Sequence, residues 1–467
     1  MLPGSRRPTP HKNERNGAEE RPSATHKEKY MNIVLLSGGS GKRLWPLSND
    51  IRSKQFIKIF KTPEGERESM VQRVYRQIKK IDGDAKVTIA TSKTQVSAIH
   101  NQLGESVGIS VEPCRRDTFP AIALATAYLH DVQGVGEDES VVVCPVDPYV
   151  NDDYFKALRR LDAQAAKGEA NLVLMGIEPT HPSEKYGYII PKSTDETSFV
   201  STFKEKPDVE TAKRYIAQGA LWNGGVFAYR LGYVLRKAHE LIDFTDYEDL
   251  FAKYDTLTKI SFDYAVVERE DKIQVQRFSG EWKDIGTWNT LTEAMDEPVL
   301  GNAVLDRCEN VYVVNELNLP IVCMGLKDVI VSASSDGILV SDAESSSRIK
   351  PIVDKLDQQI MFAEKSWGSF RVLDVQPGSM TILATVKAGQ HMNYHSHEHR
   401  DEVWNIMSGS GRVIVDGMER PVKPGDVITM QAGCRHTILA DTELKVLELQ
   451  LGREISVHDK RKFELEY

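Results

Sequence analysis

At 467 residues the chain is too long for one compact core, and its 40% hydrophobic content is ample for several folded domains. No stretch approaches the roughly 20 apolar residues of a membrane span, and a formal net charge of −9 disfavours nucleic acid while leaving nucleotides open, since local cations can meet their phosphates. The five cysteines (Cys114, Cys144, Cys308, Cys323 and Cys434) include no Cys-x-x-Cys pair, which fits a reducing cytoplasm and argues against a disulfide framework.

Residues 1–30 are polar, charged and Pro-containing, without the apolar core of a signal peptide, and read as a disordered extension. From 31 to 295 short apolar runs alternate with helical patterns: NIVLL (32–36), KVTIA (86–90), VVVCPV (141–146) and NLVLMGI (171–177). Strands spaced by helices predict an α/β domain with a Rossmann-like, mainly parallel sheet, whose ligands bind beyond the carboxyl ends of the strands.

The first such end carries LSGGSGKRLWPL (36–47). Gly38, Gly39 and Gly41 lack a Cβ, so their N–H groups can lie against phosphate oxygens, and Arg43 offers a planar fork for a phosphate. A Walker A loop is excluded because Leu36 stands at its first glycine and Arg43 follows Lys42; a dinucleotide fingerprint fails at Leu44. A purely structural turn stays open on this motif alone. Lys54, in RSKQF, is close enough in sequence to reach the same phosphates.

Asp147, in CPVDPY, follows an apolar strand and suits Mg²⁺, which takes one or two carboxylates plus substrate phosphates. Asp284, in EWKDIGTW, is the candidate second ligand. Glu205 and Lys206 set a carboxylate beside an ammonium, suited to a sugar hydroxyl and a sugar phosphate. Asn223 precedes two glycines, where backbone can approach a ligand. Singly, a strand-end Asp is also a turn former and an EKP tripeptide also a surface turn; their order along one chain is the signal.

Residues 296–355 read as a β-rich connector, with a linker helix in SRIKPIVDKLDQQ. Residues 356–467 alternate apolar and polar positions between glycine turns, which predicts a small all-β barrel or sandwich. His395 and His397 are two apart and share a strand face; Glu402 and His436 can join them. Three imidazoles and a carboxylate suit Zn²⁺, Mn²⁺, Fe²⁺ or Co²⁺, and the spacing does not choose among them.

The ordered set GGSGKRLWPLS, SKQF, EPCRRDTFPAIALA, CPVDPY, EKYGYI, FKEKP, WNGGVF, SFDYAVVE and WKDIGTW resembles the sugar-1-phosphate nucleotidyltransferases, above all the bacterial mannose-1-phosphate guanylyltransferases, over 31–355. The resemblance implies that Gly38, Gly39, Gly41 and Arg43 hold the nucleoside triphosphate with Lys54 on its phosphates. It implies Mg²⁺ on Asp147 and Asp284, and sugar phosphate on Gly187, Glu205, Lys206 and Asn223. Arg43, Lys54, Asp147 and Asp284 are the implied catalytic set. The reaction is attack of a sugar 1-phosphate on the α-phosphorus of GTP, yielding GDP-mannose and pyrophosphate.

The string GQHMNYHSHEHRDEVWNIMSG resembles the first cupin motif, and a cupin behind such a transferase resembles the type II phosphomannose isomerases. That implies a metal on His395, His397, Glu402 and His436 and a second activity interconverting fructose 6-phosphate and mannose 6-phosphate. The resemblance also implies a cytoplasmic role in polysaccharide synthesis. The chain departs from these families at Lys42 for Thr, Asp117 and Phe119 in RDTFPA for RNTAPA, Pro148 for His, Val403 for His and Gln431 for Pro. Alternative readings are a transferase of another base or sugar with a non-catalytic sugar-binding cupin, or a nucleotide-sugar-binding regulator. A homo-oligomer is left open.

Overall fold

The computed structural model describes residues 30–39, 41–49, 51–356, 359–453, 455–456 and 459–464. The extension expected over 1–30 lies outside the described residues except for Tyr30.

Nine strands form the central sheet: β1 (Asn32–Leu36), β2 (Lys86–Ser92), β3 (Gly108–Glu112), β4 (Ser140–Pro145), β5 (Leu172–Ile177), β6 (Tyr188–Pro191), β7 (Thr197–Lys204), β8 (Leu221–Arg230) and β9 (Ile273–Phe278). Their order across the sheet is β3-β2-β1-β4-β8-β5-β9-β7-β6. β3, β2, β1 and β4 run parallel, as expected of β-α-β units. β8 is antiparallel to both β4 and β5, and β7 is antiparallel to β9. The sheet is therefore parallel on the glycine-loop side and mixed beyond β4. The reason is local: WNGGVFAYR, which reads as a ligand loop, is itself a buried strand with a bulge between Asn223 and Phe227.

Alternation along the parallel strands feeds two cores, one on each face. Ile33, Leu35, Val142 and Cys144 pack with Val71, Val74, Tyr154 and Leu158. Val34, Val141 and Val143 pack with Phe119, Ile122, Leu124 and Val234 on the other side. A strand covered on both faces has no polar side to show, which is why VVVC is apolar without interruption.

The connector is a small stack of parallel strands. Val299–Leu300, Tyr312–Asn315 and Val329–Ser334 pair in one wall, and Ala303–Asp306 pairs with Ile321–Met324 in another. Val311, Val313, Cys323 and Val331 fill its interior. The stack grips the segment leaving the glycine loop. Arg52 donates both guanidinium ends to Glu316 at 2.7 and 2.8 Å, Asn49 Nδ2 donates to Asp336 Oδ2 at 2.6 Å, and Ser334 Oγ donates to the Pro46 carbonyl at 2.6 Å. Gly337 lies against the Trp45 ring so closely that a Cβ there would meet it at 2.5 Å. The expected linker helix is short, Lys350–Val353.

The C-terminal region is a two-sheet β structure of six and five strands. Trp404, Ile406, Val413, Ile438 and Val446 fill the space between them. Along Arg400–Ser408 buried positions alternate with more exposed ones, which separates an inward set from an outward one.

Candidate active site and metal centre

The glycine loop is held from below by buried amides. Gln55 Nε2 donates to the Ser37 carbonyl at 2.9 Å; Gln95 Nε2 donates to Ser53 Oγ at 2.6 Å and to the Gly39 carbonyl at 3.4 Å. Gly41 has φ +66°, and a Cβ there would sit 2.7 Å from the Lys54 backbone nitrogen, so only glycine lets the two segments touch. Gly38 and Gly39 need no unusual φ, and Gly39 borders open space. Arg43 is exposed, and Lys42 pairs with Asp354 of the linker at 3.5 Å.

Lys54 Nζ lies 2.7 Å from Asp147 Oδ2 and donates to the Ile285 carbonyl at 2.7 Å. It thereby joins the loop after β4 to the loop after the short strand Trp282–Asp284. That strand pairs with Pro148–Val150 so that Asp284 is the register partner of Pro148, beside Asp147. The Pro148 departure thus sits between the two carboxylates. Asp284 is exposed, yet the enclosing cleft walls, then the neighbouring Asp147 carboxylate, hold its carboxyl above the usual range against the pull of Lys54, Arg43 and Lys185. Two mutually repelling carboxylates beside phosphate-ready cations fit a divalent cation, which would relieve that repulsion.

A cavity of about 270 Å³ opens from this pair, lined by Asp147, Asp284, Gly187, Glu205, Asn223 and Asp263 among others. Sequence reading placed five of these six together from scattered motifs. Gly187 makes the room: a Cβ there would fall 2.5 Å from Glu205 Oε2. Glu205 is buried and its Oε1 accepts from Lys206 Nζ at 2.5 Å, while Oε2 is buried with no hydrogen-bond partner among the described residues. Lys206 is half exposed, at φ +44°. Asp263 was left without a role by the sequence, and Lys185, Tyr186 and Trp282 also line the cavity. The sequence signal for Asp263 is an acid set between Phe262 and Tyr264 in SFDYAVVE. The Asp117 departure caps the helix Thr118–Ala127: Asp117 Oδ1 accepts from Thr118 N at 2.8 Å at φ +70°.

The second site lies inside the C-terminal barrel. His395 and His436 are register partners on adjacent strands, and Glu402 faces them from the other sheet. Ligand atoms of His395, His397, Glu402 and His436 lie within 4.8 Å of one another, and all four residues are buried. The Nδ1 atoms of His395 and His436 sit 2.6 and 3.1 Å from the carbonyls of Asn393 and Cys434, and His397 Nδ1 meets that of Asp459. A carbonyl accepts only, so each Nδ1 carries the proton and each Nε2 presents a lone pair. His436 Nε2 lies 3.2 Å from Glu402 Oε2 yet makes no hydrogen bond among the described residues. Two acceptors facing each other fit a cation between them. Burial, with Lys460 and His436 near, pushes the His395 imidazole down to about 2, which keeps it neutral. Arg400 Nε donates to Glu402 Oε1 at 3.0 Å and its Nη2 lies 3.0 Å from His397 Nε2, while Trp404 Nε1 donates to Glu402 Oε2 at 3.1 Å. Val403 occupies the outward face between Glu402 and Trp404, so that departure does not touch the ligand group. His391 and His399 are outside it.

Residues 32–298 match the Nucleotidyl transferase family and residues 382–449 the Cupin domain family. The chain is 29% identical to the mannose-1-phosphate guanylyltransferase ManC of Salmonella typhimurium, over 93% of its own length and 97% of that protein. It is equally 29% identical to the xanthan biosynthesis protein XanB of Xanthomonas campestris pv. campestris, covering 93% and 98%. Among solved structures it is similar to a Thermus thermophilus protein described as mannose-1-phosphate geranyltransferase, with TM-score 0.60 and 27% identity over 70% of this chain and 99% of that one. Among the described residues no helix is long and apolar enough to cross a membrane.

Proposed function

The chain belongs to the nucleotidyl transferase family, and from that premise we propose that it transfers GMP from GTP to mannose 1-phosphate, giving GDP-mannose and pyrophosphate. An oxygen of the sugar phosphate attacks the α-phosphorus in line; the bond from that phosphorus to the bridging oxygen of the β-phosphate breaks, and pyrophosphate leaves with the electron pair. No covalent protein intermediate is needed.

The observation that carries this reading is the single cleft in which Asp147 and Asp284 stand beside the Gly187–Glu205–Asn223 pocket, with Lys54 bridging to the glycine loop. Backbone N–H groups of Gly38, Gly39 and Gly41 hold the triphosphate, and Arg43 and Lys54 neutralise it. Glu205 and Asn223 orient the hexose and Lys206 meets its phosphate, which places nucleophile and electrophile in reach. Asp147 and Asp284 would hold Mg²⁺, which supplies neutralisation of phosphate charge. The cytoplasm is the place for this reaction, in keeping with five free cysteines and a nucleoside triphosphate substrate.

The barrel supports a second reading as a mannose-6-phosphate isomerase, because its three Nε2 atoms and Glu402 converge on one buried point. A divalent transition metal (Zn, Mn, Fe or Co) on them would act as a Lewis acid toward sugar oxygens. The transfer reading is tested by pyrophosphate release with Mg²⁺ over several nucleoside triphosphates and sugar 1-phosphates. Dominance of GTP with mannose 1-phosphate supports it, another dominant pair moves the substrate, and silence across all pairs overturns it. Conversion of fructose 6-phosphate by metal-loaded protein tests the isomerase; inactivity leaves the barrel a sugar-binding module.

A further inference from the structure

One group on the wall of the transferase cleft has no part in the reaction just described. Asp263 lies in the short helix Phe262–Ala265, capped by Ser261, and the helix start is tied across the fold by Phe262 N donating to Thr118 Oγ1 at 2.8 Å. Its carboxylate lines the cavity that Glu205, Gly187 and Asn223 share. Asp263 Oδ1 accepts from Asn223 Nδ2 at 2.7 Å, while Asn223 Oδ1 accepts from Gly225 N at 3.1 Å. A carboxylate on its nitrogen side and an N–H on its oxygen side forbid the amide to flip. One N–H and one lone pair of Asn223 remain for a ligand.

Beside this fixed amide stands Glu205 Oε2, buried, without a hydrogen-bond partner among the described residues, in the space that Gly187 leaves by lacking a Cβ. A buried acceptor left unpaired is costly, so the pocket suits donors that arrive with a ligand. A phosphate brings acceptors. Neighbouring hydroxyl groups bring donors, and two carboxylates side by side want two of them. Without a ligand the two carboxyls crowd each other: burial, then Glu205, pushes the Asp263 carboxyl up to about 7, and hydroxyl donors arriving with a ligand would favour its ionised, accepting form.

We propose that Asp263 is a specificity-determining residue of the transferase cleft: it locks Asn223 and, with Glu205, forms an acceptor pair that selects sugar 1-phosphates presenting two adjacent free hydroxyl groups. The inference rests on the sugar 1-phosphate reading above.

The test compares the full-length parent with Asp263→Asn, which keeps an oxygen for Asn223, and with Asp263→Ala, which does not. Pyrophosphate release is measured with GTP, Mg²⁺ and mannose 1-phosphate or its 2-deoxy and 3-deoxy analogues. The parent should reject at least one deoxy analogue by about 100-fold or more in kcat/KM, as sites that hydrogen-bond a substrate hydroxyl do. Asp263→Asn should cut that ratio about tenfold and raise KM for mannose 1-phosphate, with KM for GTP unmoved; Asp263→Ala should do both more strongly. A parent indifferent to the deoxy positions, or an Asp263→Asn variant with the parent's ratio and KM, overturns the inference. So does a variant whose two KM values and melting temperature worsen together with the ratio intact, since that marks a structural role. A parent silent with every sugar 1-phosphate overturns the underlying reading and this inference with it.

Discussion

The Lys54 ammonium sits 2.7 Å from Asp147 Oδ2, so a side chain from just beyond the glycine loop is paired with the carboxylate at the end of β4. The pair links the proposed triphosphate side of the cleft to its proposed metal side. Asp147→Asn removes the anion that positions Lys54 and one of the two carboxylates that crowd Asp284. Pyrophosphate release should fall by about 100-fold or more, the scale of losing a charge-stabilising group at a reacting centre. Metal content of the barrel should stay at the parent's level in the same samples, and a normal transfer rate would remove Asp147 from the site.

Gly41 offers a test of the loop itself. Gly41→Ala places a Cβ in a left-handed backbone, which costs about 1–2 kcal/mol, and drives it to 2.7 Å from the Lys54 nitrogen. The expected outcome is a raised KM for GTP with KM for mannose 1-phosphate nearly unchanged, because the displaced groups belong to the loop proposed to hold the triphosphate. Initial-rate kinetics with each substrate varied in turn read this directly.

In the barrel, His395→Ala combined with His397→Ala takes away two of four converging donors. Bound transition metal, measured by elemental analysis after loading and desalting, should drop to background while pyrophosphate release stays at the parent's rate. Full metal in the double variant would mean that other groups hold it.

Asp263 also predicts a pH dependence of stability. Its carboxyl titrates near 7 in the folded protein, raised by burial and Glu205 against the opposing pull of Asn223 and Lys206, and near the ordinary value of about 4 when unfolded. Between these pH values the native state holds a proton that the unfolded chain has released, so stability falls as pH rises from about 4 to about 7. Asp263→Asn carries no such proton. The difference in melting temperature, variant minus parent, should therefore grow from pH 4.5 to pH 8; a constant difference would contradict the raised carboxyl.

Some of this was plain in the amino-acid order and some was not. NIVLL and VVVCPV announce strands buried on both faces, and GGSG after the first announces a backbone open to phosphate. His395, His397, Glu402 and His436 are legible because a strand's two-residue period puts the first pair on one face. The strand nature of WNGGVFAYR was hidden, since two adjacent glycines weaken any strand pattern and the bulge absorbs them. Asp263 was hidden for a different reason: one acid flanked by aromatic residues acquires meaning only from Asn223 and Glu205, 40 and 58 positions away in the chain. Val403 lies opposite Leu449 on the outward side of its strand, so the departure there stands off the ligand face.

The match to the transferase family stops at 298, yet the segment leaving the glycine loop is braced by residues after it. Glu316, Ser334, Asp336 and Gly337 all belong to the connector, and all of them clasp the stretch from Trp45 to Arg52. A fragment cut at the family boundary would keep every proposed substrate-binding side chain and lose the brace that keeps the phosphate end in shape. A graft or truncation of the cleft is therefore expected to need the connector, 296–355, together with the matched residues, a requirement that sequence similarity to the family does not reveal.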